Sequence, residues 1–272
     1  MSRAWRGGRC GSGRKAQGWR ERRMIAMGRH AMNADGMETP AVVMFARCPE
    51  LGRVKTRLAR GIGAERALAV YRWMGRRQLM AFPVEWNRIV YYDPPGKRAE
   101  ARMREWLGEG VRLVAQCEGD LGARLSRASR EVFASGASAA IFVGTDCPEL
   151  GEEVLRTAWL ELGSGVDAVF GPSRDGGYYL LALRRHCPEL FAGIRWSAAE
   201  TLADSLEAAR RAGLRVRLLW ELEDVDTEEA LLRAIDRGVV PAAFREGAVG
   251  GSGSSPGLEK SGTPGRLGDR GE

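Results

Sequence analysis

Cysteine and histidine are scarce in this chain, and long apolar runs are missing. Five cysteines (Cys10, Cys48, Cys117, Cys147, Cys187) form an odd, widely spaced set without a CxxC pair, beside two histidines, His30 and His186. That excludes a disulfide scaffold and a Cys/His zinc site, and leads us to expect a reducing compartment. No stretch reaches the roughly 18–20 consecutive apolar residues that span a bilayer, so no membrane span is expected. Arg22-Arg23 is followed only by Met24 to Met27 before Gly28, Arg29 and His30. A twin-arginine export signal would need a hydrophobic segment there, so the expected location is the cytoplasm. The phosphate loop GxxxxGK[ST] is also absent.

What is present is a net charge of +7 that is unevenly spread. Residues 1–39 hold nine basic side chains against Glu21, Asp35 and Glu38, a surplus of +6, and residues 246–272 balance to −1. About +2 is left for the middle, too little for the electrostatic footprint of a duplex-binding domain, and no specific nucleic acid is expected as a partner. Segment 1–39 is rich in Gly and Arg, lacks apolar periodicity and contains Met24, Met27, Met32 and Met37. It reads as a disordered basic tail or an over-extended gene start. Segment 246–272 reads as a Gly/Ser/Pro-rich flexible tail. The expected domain is 40–245.

Within that domain, short apolar runs alternate with segments of helical period, the signature of an α/β sheet with crossover helices. Strands are expected over 41–46 (AVVMFA), 88–92, 111–115, 139–143 (AAIFV), 167–170 and 215–220, with a further apolar run at 178–183. Helices are expected over 64–81, 97–106, 121–133, 152–162, 198–211 and 227–235. Ligands of such sheets gather at the carboxyl ends of the strands, and the polar clusters of this chain follow strands.

The first cluster, 47–58, begins at Arg47 and includes Gly52, Lys55 and Arg57. A Pro- and Gly-containing loop with closely spaced cations can present N–H groups and positive charge to phosphates, or can be a solvated turn. The second, Gly119-Asp120-Leu121-Gly122, allows close backbone approach to a ligand, or simply places Asp120 at a helix N-cap. The third puts Asp146 just beyond a buried strand. A carboxylate there calls for a compensating cation such as magnesium shared with phosphate oxygens, or else it caps the next helix. The fourth, Asp175-Gly176-Gly177-Tyr178, suits a tight turn and also the wall of a polyol site. In the fifth, Asp224 or Asp226 could complete the metal shell, while Asp226-Thr227 could cap the last helix. Trp196 could stack on a ring, with Ser197 an N-cap. Cys147 has no histidine beside it and is not expected to be a nucleophile.

Together the strings GRVKTRL (52–58), Q-x-x-GDLG-x-R (116–124), GTDCPEL (144–150), GP-x-x-DGGYYL (171–180) and DVDT (224–227) resemble a family of bacterial GT-A-like transferases. That family is grouped with radical-SAM and selenium-related genes and described as glycosyltransferases. More distantly, the chain looks like the phospholactate and molybdenum-cofactor guanylyltransferases. The resemblance implies a GT-A type three-layer sandwich with a mostly parallel central sheet. It implies phosphate contacts from Gly52, Lys55 and Arg57, with Mg2+ or Mn2+ on Asp146 and Asp226. Acceptor or sugar contacts would come from 175–178. The family's first loop begins with lysine and has a further proline where this chain has Arg47 and Leu51; arginine keeps the charge.

The leading expectation is glycosyl transfer from a nucleotide sugar to a small-molecule acceptor, with Asp175 or Asp120 as the base and Lys55 neutralising the leaving diphosphate. Arg47, Gly119 and Gly122 would add nucleotide or phosphate contacts, and Gly176, Gly177, Tyr178 and Trp196 would face the sugar or acceptor. One alternative keeps the fold but joins an NTP to a phosphorylated small molecule, releasing pyrophosphate. Another is a non-catalytic nucleotide- or RNA-binding protein using the basic tail. Asp146 and Asp226 are expected to converge on one point within reach of Lys55 or Arg57.

Overall fold

An unbroken apolar run suits a strand covered on both faces, and AVVMFAR forms the central strand β1 (Ala41–Arg47). The computed structural model describes residues 39–245; apart from Thr39, the expected tails 1–39 and 246–272 lie outside them. The other strands are β2 (Asn87–Asp93), β3 (Arg112–Ala115), β4 (Ala140–Val143), β5 (Ala168–Pro172), β6 (Tyr178–Leu183) and β7 (Val216–Leu218). They make a seven-stranded sheet in the order β3-β2-β1-β4-β6-β5-β7. β1 pairs in parallel with β2 and β4, β2 with β3, and β5 with β7. β6 runs antiparallel to both β4 and β5.

Parallel neighbours need long crossovers, and helices supply them. They are α1 (Thr56–Ile62), α2 (Ala64–Met80), α3 (Lys97–Leu107), α4 (Leu121–Ala134), α5 (Glu152–Gly163), α6 (Thr201–Arg211) and α7 (Glu228–Asp236). Because side chains alternate along a strand, Val42, Met44 and Ala46 of β1 enter one core with Tyr71, Met103, Trp106 and Leu155 from α2, α3 and α5. Ala41 and Val43 enter the other with Leu125, Val132 and Ala209 from α4 and α6. The result is the expected three-layer α/β architecture. A third cluster, including Leu58, Val70, Met74 and Leu231, packs α1, α2 and α7 together and so brings α7 up to the first loop. No helix among the described residues is long and apolar enough to cross a membrane.

Three expectations are corrected. The loop ends before the close of the 47–58 cluster, because α1 starts at Thr56; its single buried residue, Leu58, leaves no periodicity to read. The helix expected from residue 198 starts at Thr201, and Ser197 is not its N-cap. Ser197 has φ 59, whereas an N-cap takes extended backbone, and the Thr201 hydroxyl accepts from the Ala198 N–H instead. The strand expected over 215–220 is regular only over Val216–Leu218.

Candidate active site

β1 has β2 on one side and β4 on the other, so successive crossovers leave it in opposite directions. Such a switch point opens a crevice at the carboxyl ends of the two strands. Two loops descend into it. The one after β1 turns at Gly52 (φ 72) and at Lys55, whose φ of 48 and ψ of 44 are left-handed. A non-glycine residue there costs about 1 kcal/mol or more and persists only where its surroundings hold it. Lys55 is well held. Its Nζ lies 2.7 Å from Asp146 Oδ1 and 2.6 Å from Asp226 Oδ1, and donates to the Val225 carbonyl at 2.7 Å. Its side chain is only 3% exposed. Arg57, from the first turn of α1, donates to the second oxygen of Asp226. The Val225 N–H donates to the Asp146 carbonyl at 2.8 Å, which ties the two aspartate loops backbone to backbone.

Burial works against the Lys55 ammonium, but Asp146 and Asp226 outweigh it and hold the group charged above its ordinary range. Asp226 is the mirror case: burial opposes its charge, Lys55 and Arg57 outweigh burial, and its carboxyl lies below the usual value. At Asp224 the pull of Lys55 is the weaker one. Burial, with Asp146 and Asp175 facing it, pushes its carboxyl up to about 7. The centre is therefore rich in carboxylate oxygen around one buried cation. Hard dications take oxygen ligands, and magnesium settles for one or two carboxylates plus substrate phosphate. Asp146 and Asp226, already sharing a cationic nitrogen, fit such a group. Among the described residues, no three His, Cys, Asp or Glu side chains surround one point.

The remaining candidates divide between two places. Asp175, Gly176 and Gly177 occupy the turn between β5 and β6, on the same sheet edge as Asp146 because β6 runs backwards. Asp175 Oδ1 accepts from the Gly177 N–H at 3.0 Å and the Ser173 hydroxyl at 2.7 Å. Tyr178 turns away from the edge: its ring packs edge-on against Phe170 and Trp196, and its hydroxyl is buried. Trp196 is half-buried in that packing. Gly119, Asp120 and Gly122 follow β3. Gly122 is buried, and a Cβ there would meet the Phe191 carbonyl oxygen and the Trp196 indole nitrogen at 2.5 Å each. Its bareness lets α4 pack against the 191–196 segment. Asp120 is the N-cap of α4, accepting from the Ala123 N–H at 2.8 Å. Asp120→Ala is expected to cost about 1 kcal/mol, and Asp120→Ser to restore it, in thermal melts. Equal melting of all three proteins would remove the cap. Arg47 is exposed at the end of β1.

Four supporting residues escaped sequence reasoning. The Tyr71 hydroxyl accepts from the Arg47 N–H and donates to the Arg47 carbonyl, both at 2.9 Å, fixing the exit of β1. Gln78 and Arg77, also on α2, donate to the Cys147 and Pro148 carbonyls at 2.8 and 2.9 Å, fixing the loop that carries Asp146. Glu223, buried beside Asp224, is the fourth. A buried glutamine on an otherwise apolar helix face was the one available signal. Cys147 is buried, and burial pushes its thiol above the ordinary range.

Residues 79–198 match a family described as "Uncharacterized protein conserved in bacteria (DUF2064)". The chain is 32% identical to a "putative nucleotide-diphospho-sugar transferase" from Desulfovibrio desulfuricans G20, with a TM-score of 0.70 over 78% of this chain and 92% of that one. The fold is also similar to the inositol-1-phosphate CTP transferase from T. maritima, at 12% identity and TM-score 0.51 over 78% of this chain and 98% of that one. A third likeness is 4-diphosphocytidyl-2C-methyl-D-erythritol synthase from Anaerococcus prevotii DSM 20548, at 11% identity and TM-score 0.50 over 74% and 96%. Among curated proteins, none matches at a significant level.

Proposed function

The chain belongs to the DUF2064 family, and on that premise we propose that it is a metal-dependent transferase that moves a glycosyl group from a nucleotide sugar to a small-molecule acceptor. One observation carries the reading: Lys55 Nζ meets Asp146 and Asp226 at the switch point of the sheet, 2.7 and 2.6 Å away. The name of the Desulfovibrio protein, a nucleotide-diphospho-sugar transferase, supports the donor class. Residues 40–245 constitute the transferase unit.

In this reading Asp146 and Asp226 would hold Mg2+ or Mn2+, and the ion would supply positive charge beside a diphosphate. Lys55 and Arg57 add fixed positive charge on the same side, and the backbone at Gly52 lets the loop approach the phosphates. Asp175, on the facing turn, accepts the acceptor's proton; Asp120 is occupied as a helix cap and takes no part in the transfer.

The test is a thermal-shift and calorimetric screen of nucleotide sugars and NTPs, with and without Mg2+ or Mn2+, followed by product analysis. A nucleotide sugar with Mn2+ is expected to raise the melting temperature, since ligand at 100 times its Kd stabilises by about 2.7 kcal/mol. Chelation by EDTA should reverse the shift, and turnover should release a nucleoside diphosphate. Absence of any metal-dependent nucleotide effect would refute the reading. Release of pyrophosphate from an NTP would move the reaction to nucleotidyl transfer on the same centre.

A further inference from the structure

Glu223 is nine-tenths buried, yet it is an acid and it takes no direct place in the centre described above. Three arginines surround it. Arg233 donates to Oε1 through Nε at 2.9 Å and Nη2 at 2.7 Å, and Arg237 Nη1 donates to Oε2 at 2.9 Å. Arg174 Nη1 lies 3.6 Å from the same Oε2. Burial opposes the charge, but these cations outweigh it and keep Glu223 ionised below its ordinary range.

The origin of the three arginines is what matters. Arg174 stands in the turn that presents Asp175 and also reaches Glu221 at 3.5 Å. Arg233 and Arg237 lie four residues apart, at the end of α7. Arg237 then donates its other nitrogen to Glu149 Oε1 at 2.6 Å, in the loop that carries Asp146. Backbone bonds run along the same route: the Leu222 N–H donates to the Pro172 carbonyl at 3.1 Å, and the Arg174 N–H to the Leu222 carbonyl at 3.2 Å. Arg174, Arg233 and Arg237 are balanced in number by Glu149, Glu221 and Glu223, so the network is neutral as well as connected.

We propose that Glu223 is a positioning residue that locks the loop of Asp146, the loop of Asp224 and Asp226, and the Asp175 turn into one rigid unit. Each loop has its own anchor, with Cys147, Leu150 and Val225 buried and Gly176 packed on the Ala199 backbone; one buried carboxylate joins the three and holds their oxygens at fixed separations. Preorganisation of this kind is what a centre needs if its groups are not to reorganise during transfer. The role rests on the reading of Asp146 and Asp226 as cation ligands, and the experiment separates the two claims.

Wild type, Glu223→Gln and Arg174→Met are compared at a temperature where circular dichroism shows each folded. Mn2+ binding in the presence of inorganic pyrophosphate is followed by electron paramagnetic resonance, and backbone hydrogen exchange by mass spectrometry. Glu223→Gln is expected to weaken Mn2+ binding at least tenfold and to speed exchange in 171–179 and 222–227 together. Arg174→Met should speed exchange in 171–179 alone, with the melting temperature unchanged. A Glu223→Gln protein that melts earlier but binds Mn2+ as wild type does, with 171–179 undisturbed, would overturn the proposal and leave Glu223 a mere anchor of α7. Should wild type itself not bind Mn2+ with pyrophosphate, the cation reading falls, and exchange alone decides: joint loosening sustains the lock, loosening confined to 222–237 overturns it. Arg237→Met, which keeps the Arg233 pair, serves if Glu223→Gln does not fold. It should speed exchange in 145–150, and unchanged exchange there would overturn the proposal.

Discussion

Lys55→Met is expected to lower nucleotide-dependent turnover by about 10²–10³-fold, the usual loss when one preorganised charge partner of a leaving group is removed. Methionine keeps most of the apolar stem and removes the ammonium, so the packing of a side chain that is 3% exposed is largely preserved. What changes is the charge between Asp146 and Asp226. Stripping a fully buried carboxylate of its partner costs about 3–5 kcal/mol. Here the Asp146 and Asp226 side chains are 43% and 26% exposed and Arg57 remains on Asp226, so solvent reduces the penalty to about 1–2 kcal/mol. The protein should fold, melt a few degrees earlier and turn over poorly. Steady-state rates beside a melting curve check both parts, and wild-type turnover in a folded Lys55→Met protein would exclude this lysine from the chemistry.

Gly176→Ala should have the largest effect on stability. Gly176 sits at φ 87, where an L side chain is strained, and an added Cβ would come within 2.7 Å of the Ala199 carbonyl carbon and 2.8 Å of its Cα. The obstacle is backbone, so it cannot rotate aside. About 1–2 kcal/mol for the left-handed conformation and 1–3 kcal/mol for the overlap give a total of about 2–5 kcal/mol. In a domain of this size that lowers the melting temperature by roughly 4–20 °C. The Leu202 N–H donates to the Gly176 carbonyl at 3.0 Å, so relief by moving the turn would also strip the first turn of α6. Calorimetry checks the value, and an unchanged melting temperature would mean that the turn is not packed against 198–200. Gly176 entered as a sugar contact; its firmest physical role is to let the Asp175 turn approach α6.

The alternation of apolar runs with helical segments was legible because burial writes a period into a sequence. The strands around 41–46 and 139–143 and the long helices were read nearly to their ends. Short or polar elements were not. α1 has one buried residue, so its start at Thr56 left no pattern, and the serine at 197 suggested a helix cap three residues too early, at a position whose backbone is left-handed. In the candidate site, the aspartates and Lys55 were visible as charged residues following apolar strands. Asp120 was visible too, but its competing roles were not separable until its oxygen was found on the Ala123 N–H. Glu223 was passed over, because nothing local distinguishes a buried acid from an exposed one within Glu221-Leu222-Glu223-Asp224.

By itself, then, the sequence determined an α/β sheet with polar clusters at its strand ends, and it named the chemistry those clusters can offer: carboxylates, closely spaced cations and bare glycines. Only the tertiary structure decided which of them meet. Lys55 and Asp226 stand 171 positions apart, and they touch because α7 docks on α1 and α2 through a core of Leu58, Met74 and Leu231. Periodicity reports whether a residue is buried, but not against what. The convergence on Lys55, the inward turn of Tyr178 and the three arginines on Glu223 each depend on long-range packing, which no local pattern encodes.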